Sequence, residues 1–495
     1  MYQFIQENIL NYETEAILYG VFQEESSSFH PFEEAFSNEL SNLIELGELS
    51  PEAGHVCKLH PFNKAKARRI YFVGLGYKAD ITKDGIRKAF SKAFKQLAKD
   101  KVSNIALALD SLVQLPMSDT DAFEAIGEAQ ALAPFQLNTY HTKKLETTKL
   151  KEFTIIAERN HREKEVVDAL KVGFALGEGA NVARNLVNAP GNLMNATHLA
   201  DYAKSLAEKH KLEIDILEKE DMEQLQMGAL LAVNQGSTER QKFIVIRYQG
   251  KETWEDPVAI IGKGITFDTG GYSLKGKDGI IGMKMDMGGA ASTLGAVDVI
   301  GKLKPNANVM AVIPATDNMI SGSAFKPDDV IFSMSGKTIE VRNTDEEGRL
   351  VLADAITYAK KEGASEIIDI ATLTGGVVVA LGNEVTGVMT NNEGLLADVQ
   401  RAANETGELM WQLPYFDLYK KQVRTSHIAD LNNSPGRAGH AIMAGVFVGE
   451  FAGSTPWVHI DIAGTAMASS EHELGPKGPT GVMTRTLAKF VMNKK

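Results

Sequence analysis

A single cysteine, Cys57, occurs in 495 residues, which excludes disulfides within the chain and points to a reducing compartment, the cytoplasm. No Lys or Arg precedes Lys58, so the N-terminus has neither the basic start nor the apolar middle of a secretory signal. No apolar run approaches the roughly 20 residues needed to cross a bilayer, and no membrane association is expected. Histidine is missing from the whole span 211–426. A zinc held by histidine, the H-E-x-x-H arrangement included, is therefore excluded from any site built inside that span. Short-period repeats, low-complexity tracts and long linkers rich in Gly, Pro or Ser are absent too. Positive charge is scarce overall: the formal net charge of −12 argues against general binding to nucleic acid, and the small basic patch Lys64–Arg69 reads as solvated surface.

What is present is a regular alternation of short apolar strands and amphipathic helices. In the first third, the runs 69–74, 102–109 and 153–157 alternate with helical patterns over 85–97 and 121–132, as in an α/β unit with a mostly parallel sheet. A long amphipathic pattern over 162–186 follows and ends in Asn188-Ala-Pro-Gly-Asn192. Beyond it the alternation resumes with stronger strands at 242–248, 257–261, 308–313, 338–342, 365–370 and 457–460. The expectation is an α/β protein of two domains: a smaller N-terminal α/β domain (1–160), a linking helix (161–187) and a larger catalytic α/β domain (188–495) with a mixed, mostly parallel central sheet flanked by helices.

The polar residues gather where those strands end. In doubly wound sheets, chemistry collects beyond the carboxyl ends of strands. The strand 258–261 runs into Gly262-Lys-Gly-Ile-Thr-Phe-Asp-Thr-Gly-Gly271, with a second lysine at Lys275; Asp286 opens a helix of small residues; and Asn343-Thr-Asp-Glu-Glu-Gly-Arg-Leu350 leaves the strand 338–342 to open another helix. If the turn is extended, Asp345 and Glu347 point one way and Glu346 the other, which makes Glu346 a bystander. Each acid alone fits a helix cap or first-turn charge. Together, Asp268, Asp286, Asp345 and Glu347 would repel one another unless cations neutralise them, and they offer enough oxygens for two divalent ions bridged by carboxylates, about 3.5–4 Å apart. Oxygen-rich ligation suits Mg, Mn or Zn. Lys263 and Lys275 have two readings, tuned ligand or proton donor and simple charge balance with the aspartates. Ser335-Gly-Lys-Thr338, Gly74-Leu-Gly76 and Ser273 lack the context of a P-loop, a dinucleotide fingerprint or a nucleophile elbow and read as turns.

These motifs resemble the leucine aminopeptidase, or cytosol aminopeptidase, family of two-metal peptidases. Its N-T-D-A-E-G-R-L is matched by 343–350, with Glu346 in place of Ala, and the likeness continues through 262–275, 283–291, 371–376, 459–464 and 478–487. The resemblance implies one ion on Lys263, Asp268, Asp286 and Glu347 and a second on Asp268, Asp345 and Glu347, with Lys263 binding as a neutral amine. It implies that Lys275 stabilises the tetrahedral oxyanion and that Arg349 holds a bicarbonate ion serving as general base for the bridging water. Met283, Thr372, Gly375 and Ala463 would line an apolar pocket for the first side chain, leucine or methionine, while Asn343 and the backbone of Leu373 would hold the peptide. Zn or Mn is expected, with Mg or Co as substitutes, in a cytoplasmic homohexamer of two stacked trimers acting on peptides with broad specificity. Glu346 would bind metal more tightly or point to solvent, and Ala196 stands where the family has a proline. A DNA-binding scaffold of the same fold and a metal-dependent phosphohydrolase are the alternatives.

Overall fold

The computed structural model describes residues 2–23, 31–37, 39–113, 115–143, 150–158 and 162–494. The expected boundary at 160/161 lies outside the described residues. Contacts divide the chain into two compact units, Met1–Glu178 with His472–Pro476, and Gly179–Glu471 with Lys477–Lys495. The division falls inside one continuous helix, Glu163–Asn188.

The first unit is built on six strands, β1 (Tyr2–Gln6), β2 (Ala16–Val21), β3 (Val56–Leu59), β4 (Ile70–Gly74), β5 (Asn104–Ala108) and β6 (Glu152–Ala157), in the order β1-β6-β5-β2-β4-β3. All pairs are parallel except β3 with β4. The period of two along each strand splits its side chains between two cores. Ala16, Leu18, Tyr71, Val73, Ile105 and Leu107 pack with the helices Lys83–Lys99 and Asp119–Leu132 on one face, whereas Ile17, Tyr19, Ile70, Phe72 and Ala106 pack against Phe32, Phe36 and Leu40 on the other. Burial on both faces is why β2 and β4 read as unbroken apolar runs.

The second unit continues the strand series with β7 (Glu213–Leu217), β8 (Lys242–Gln249), β9 (Val258–Gly262), β10 (Gly264–Asp268), β11 (Asn308–Asn318), β12 (Val330–Phe332), β13 (Thr338–Glu340), β14 (Glu366–Ala371), β15 (Thr386–Thr390), β16 (Met410–Gln412), β17 (Leu431–Asn432) and β18 (Trp457–Asp461). The large sheet runs β16-β15-β18-β14-β9-β11-β8-β7, with β10 also paired to β11. Its centre, β18, β14, β9 and β11, is parallel, and β8, β7 and β15 add antiparallel pairs. The sheet is thus mixed and mostly parallel, and helices cover both faces: Met310, Val312, Phe243 and Val245 belong to one core, Ala311, Ile313, Ile244 and Ile246 to the other. Ala196 is the first residue of the helix Ala196–His210, capped by Asn195, a position where proline and alanine both fit. Among the described residues no helix is long and apolar enough to cross a membrane.

Candidate metal centre

The carboxyl ends of the central strands converge on one group of charged side chains. Lys263 sits at the break between β9 and β10, its N–H donating to Ile370 O (3.0 Å) and its carbonyl accepting from Ala290 N (2.9 Å). This locks its backbone between β14 and the helix Gly288–Leu303. The approach is close enough to require glycine at 289, where an added Cβ would stand 2.0 Å from Ile370 O. Asp268 ends β10; its Oδ1 accepts from Gly270 N and Asn318 Nδ2, each at 2.8 Å. Asp286 lies in the tight turn Met283–Met287, and Glu347 is the first residue of the helix Glu347–Lys361. Thr344 ties the turns together, donating to Gly270 O (2.6 Å) and accepting from Ser273 N (2.8 Å).

Ligand oxygens of Asp268, Asp286 and Glu347, all buried, lie within 4.8 Å of one another. Lys263 Nζ bridges two of them, 2.9 Å from Asp286 Oδ1 and 3.0 Å from Glu347 Oε1, and also donates to Thr372 O (3.0 Å). Asp345 joins the group through Lys275, whose Nζ lies 2.8 Å from Asp268 Oδ2 and 2.6 Å from Asp345 Oδ1. Ligand and charge-balance readings of the lysines therefore share one geometry.

Charge at the centre does not balance internally. Four carboxylates face two ammoniums, an excess of two negative charges. Burial, then the neighbouring Asp268 carboxylate, raises Asp286 to about 6 against the pull of Lys263. Burial and Asp268 likewise raise Glu347 and Asp345. Burial works to lower both lysines, but the surrounding carboxylates outweigh it and raise them. The buried Asp286 Oδ2 has no hydrogen-bond partner. An orphaned carboxylate oxygen, an all-oxygen cluster with one amine and uncompensated negative charge are what a pair of hard or borderline divalent cations would satisfy, so the residues present fit the metals expected of them.

The resemblance implied bicarbonate at Arg349; the structure places groups of the chain itself against this side chain. Arg349 is buried; its Nη1 donates to Asn433 O (2.5 Å) and its Nη2 to Glu346 Oε2. Both terminal nitrogens are engaged while Nε has no partner, and one nitrogen of the fork already carries a carboxylate of the chain itself. Glu346 itself is buried, with Oε1 on His440 Nε2, so it is neither a bystander nor turned to solvent. Alternation fails because the chain enters a helix at Glu347, where residues three apart become neighbours. Burial pushes the Glu346 carboxyl up, but Arg349 and His440 outweigh it and hold it below its usual range.

Of the expected substrate residues, Thr372 and Asn343 bond directly to the acids of this centre. Thr372 Oγ1 donates to Asp286 Oδ1 (2.7 Å). Leu373 N and Ala463 N both donate to Asp461 Oδ1 (3.1 Å), Met283 opens the Asp286 turn, and Gly375 is exposed at a helix start with no atom within 4 Å of where a Cβ would stand. Asn343 Oδ1 accepts from Asp345 N (2.9 Å) and so shapes the acidic turn. Asn318, Asp461, Asn433 and His440 went unforeseen; only Asp461 lies in a motif singled out above.

Residues 181–488 match the catalytic domain of the cytosol aminopeptidase family, and residues 20–144 match that family's N-terminal domain. Two solved structures, bottromycin maturation enzyme BotP and the same enzyme in complex with Mn, are similar at a TM-score of 0.85 and 27% identity, over 97% of this chain and 99% of that chain. With more than half its length matched by the catalytic domain, the chain belongs to the cytosol aminopeptidase family of two-metal, metal-dependent peptidases.

Proposed function

We propose that the protein removes N-terminal amino acids from peptides, apolar residues such as leucine and methionine foremost, with two divalent ions, Zn or Mn foremost and Mg or Co as substitutes. The observation that carries this reading is the buried acidic cluster with its excess of two negative charges. Once bound, the ions supply an activated water and bind the substrate's amine and carbonyl. Asp268 and Glu347 would help hold both ions, with Asp286 and Lys263 completing one site and Asp345 the other. Lys275 takes the developing oxyanion: its side chain is 18% exposed against 4% for Lys263, so of the two lysines it is the one open to substrate. Preorganised positive charge at that point stabilises the transition state more than the planar ground state. Met283, Thr372, Gly375 and Ala463 receive the first side chain, and Asn343 with the Leu373 backbone holds the peptide. An apolar pocket discriminates by only about 1–3 kcal/mol per methylene, hence the breadth of specificity. Family resemblance supports cytoplasmic residence and a homohexamer. The test is hydrolysis of leucine p-nitroanilide by chelator-stripped protein with Mn or Zn restored, beside Glu347→Ala. Recovery in the wild type alone is expected; metal uptake without turnover of any peptide would refute the reading.

A further inference from the structure

The chain supplies its own anion to Arg349. The guanidinium is 1% exposed and Glu346 6% exposed, and a buried guanidinium requires a paired, hydrogen-bonded counter-charge. Glu346 provides it from three residues away, at the start of the helix Glu347–Lys361, where an i,i+3 pair lies on one face. Both carboxylate oxygens are used, Oε2 by Arg349 and Oε1 by His440. Arg349 is held in turn by Asn433 O, and Asn433 also fixes the acidic turn, its Oδ1 accepting from Arg342 N (2.7 Å) and its Nδ2 donating to Asn343 O (2.6 Å). Glu346 meets the guanidinium through one oxygen, Oε2 on Nη2, and bicarbonate, also a planar monoanion, is recognised by a guanidinium through the same charge-assisted contact.

We propose that Glu346 is a tethered anion filling the oxyanion site of Arg349, clamped there by His440, so that this protein neither binds nor requires dissolved bicarbonate at that site. A group attached three residues away meets its partner as an intramolecular event, with an effective concentration far above that of a free ion. Glu346 and His440 are positioning residues: they touch neither substrate nor the ligand oxygens and act by fixing Arg349 and the turn that carries Asp345 and Glu347.

The experiment has two arms, of which only the second rests on the aminopeptidase reading. In the first, line broadening of 13C-bicarbonate is followed against metal-loaded wild type, Glu346→Ala and Glu346→Gln. Expected is binding gained by Glu346→Ala alone, since the glutamine keeps the blocking shape without the charge, and any bicarbonate held at the metals appears equally in all three. In the second, peptide hydrolysis is measured in carbon dioxide-free buffer with bicarbonate restored. Wild type should not respond, Glu346→Ala should recover by about tenfold or more, the value of one charge-assisted contact, and Glu346→Gln should not recover. Bicarbonate stimulating the wild type, or Glu346→Ala neither binding nor responding, overturns the proposal. Should Glu346→Ala not fold, Glu346→Ser, equally short and uncharged, must show the bicarbonate binding instead. If no peptide is cleaved at all, the binding arm still decides the anion question while the aminopeptidase reading falls.

Discussion

Gly348→Ala is a substitution that helix propensity favours and the metal centre does not tolerate. Gly348 is the second residue of the helix Glu347–Lys361, where alanine gains up to about 0.5–1 kcal/mol over glycine. Its added Cβ would stand 2.5 Å from Lys263 Cε, 2.6 Å from Nζ and 2.9 Å from Cδ. Ordinary carbon contacts are about 3.5–4.0 Å, so the lysine tip must retreat by about 1 Å. Nζ holds Asp286, Glu347 and Thr372 O at 2.9–3.0 Å, and that retreat takes it out of hydrogen-bond range. Losing a charge-assisted contact is worth about 1.5–3 kcal/mol, or roughly 10- to 150-fold in an equilibrium. Because the clash falls on a flexible side chain and the helix gain offsets part of the lost contacts, the Tm of the metal-free variant should fall by less than that of Gly289→Ala. Metal affinity, read by competition with a chromophoric chelator, and kcat/KM on a leucyl peptide should both fall by that factor. In a Lys263→Ala background, Gly348→Ala should add nothing, since the group it strikes is gone. A Gly348→Ala protein that binds metal and turns over like wild type would show that Lys263 is not held for the metals.

Gly289→Ala should behave in the opposite way: its Cβ meets backbone, Ile370 O at 2.0 Å and Lys263 N at 2.9 Å, so the cost should reach or exceed the roughly 1–3 kcal/mol of core overpacking and appear as a lowered Tm with or without metal; an unchanged Tm would sink this. Asp298 is buried against Lys209 (2.7 Å), His210 (2.8 Å) and Lys302 (2.7 Å). Burial alone would raise its carboxyl, but these partners bring it down to about 2. A depressed native pKa means stability present above the unfolded value of about 3.9 and lost as pH falls towards 2. Asp298→Asn should therefore cost about 1–2 kcal/mol at neutral pH, allowing for screening at the half-exposed Lys209, and flatten the denaturant midpoint between about pH 4 and pH 2; equal slopes in both proteins would refute the linkage.

Asp268, Asp345 and Glu347 were legible because they end or follow strands, and strand ends in such sheets point at one crevice, whereas Asp286 was read from the helix of small residues that follows its turn. The alternation of 258–261 and 308–313 likewise declares β9 and β11 at the sheet centre. Glu346 was misread for a local reason: the period of two was carried one residue too far, into a helix that begins at Glu347. Reading 346 and 349 as an i,i+3 pair would have found the Arg349 contact. His440 had no such signal, since it is 94 residues away in sequence. Asp461 stood in a quoted motif, yet besides Thr374 Oγ1 it holds the backbone amides of Leu373 and Ala463, and amides without side-chain identity leave no trace in a pattern of residue types. The division between units falls within an uninterrupted helix, inside the span 161–187 read from the sequence as the link.

The charge count explains why an alanine and a glutamate can both serve at position 346. Around the centre, Asp268, Asp286, Asp345 and Glu347 face Lys263 and Lys275, leaving two negative charges. Arg349 would reduce that excess to one if it stood alone, and it would do so from a buried position where an unpaired guanidinium is costly. Glu346 cancels it and restores the excess to two. A bound monoanion beside an alanine would give the same total and the same partner geometry. On the tethered-anion proposal the two arrangements would carry the same charge towards the metals and differ in whether the anion is covalently attached, and one substitution would then change dependence on an external ion without altering any metal ligand.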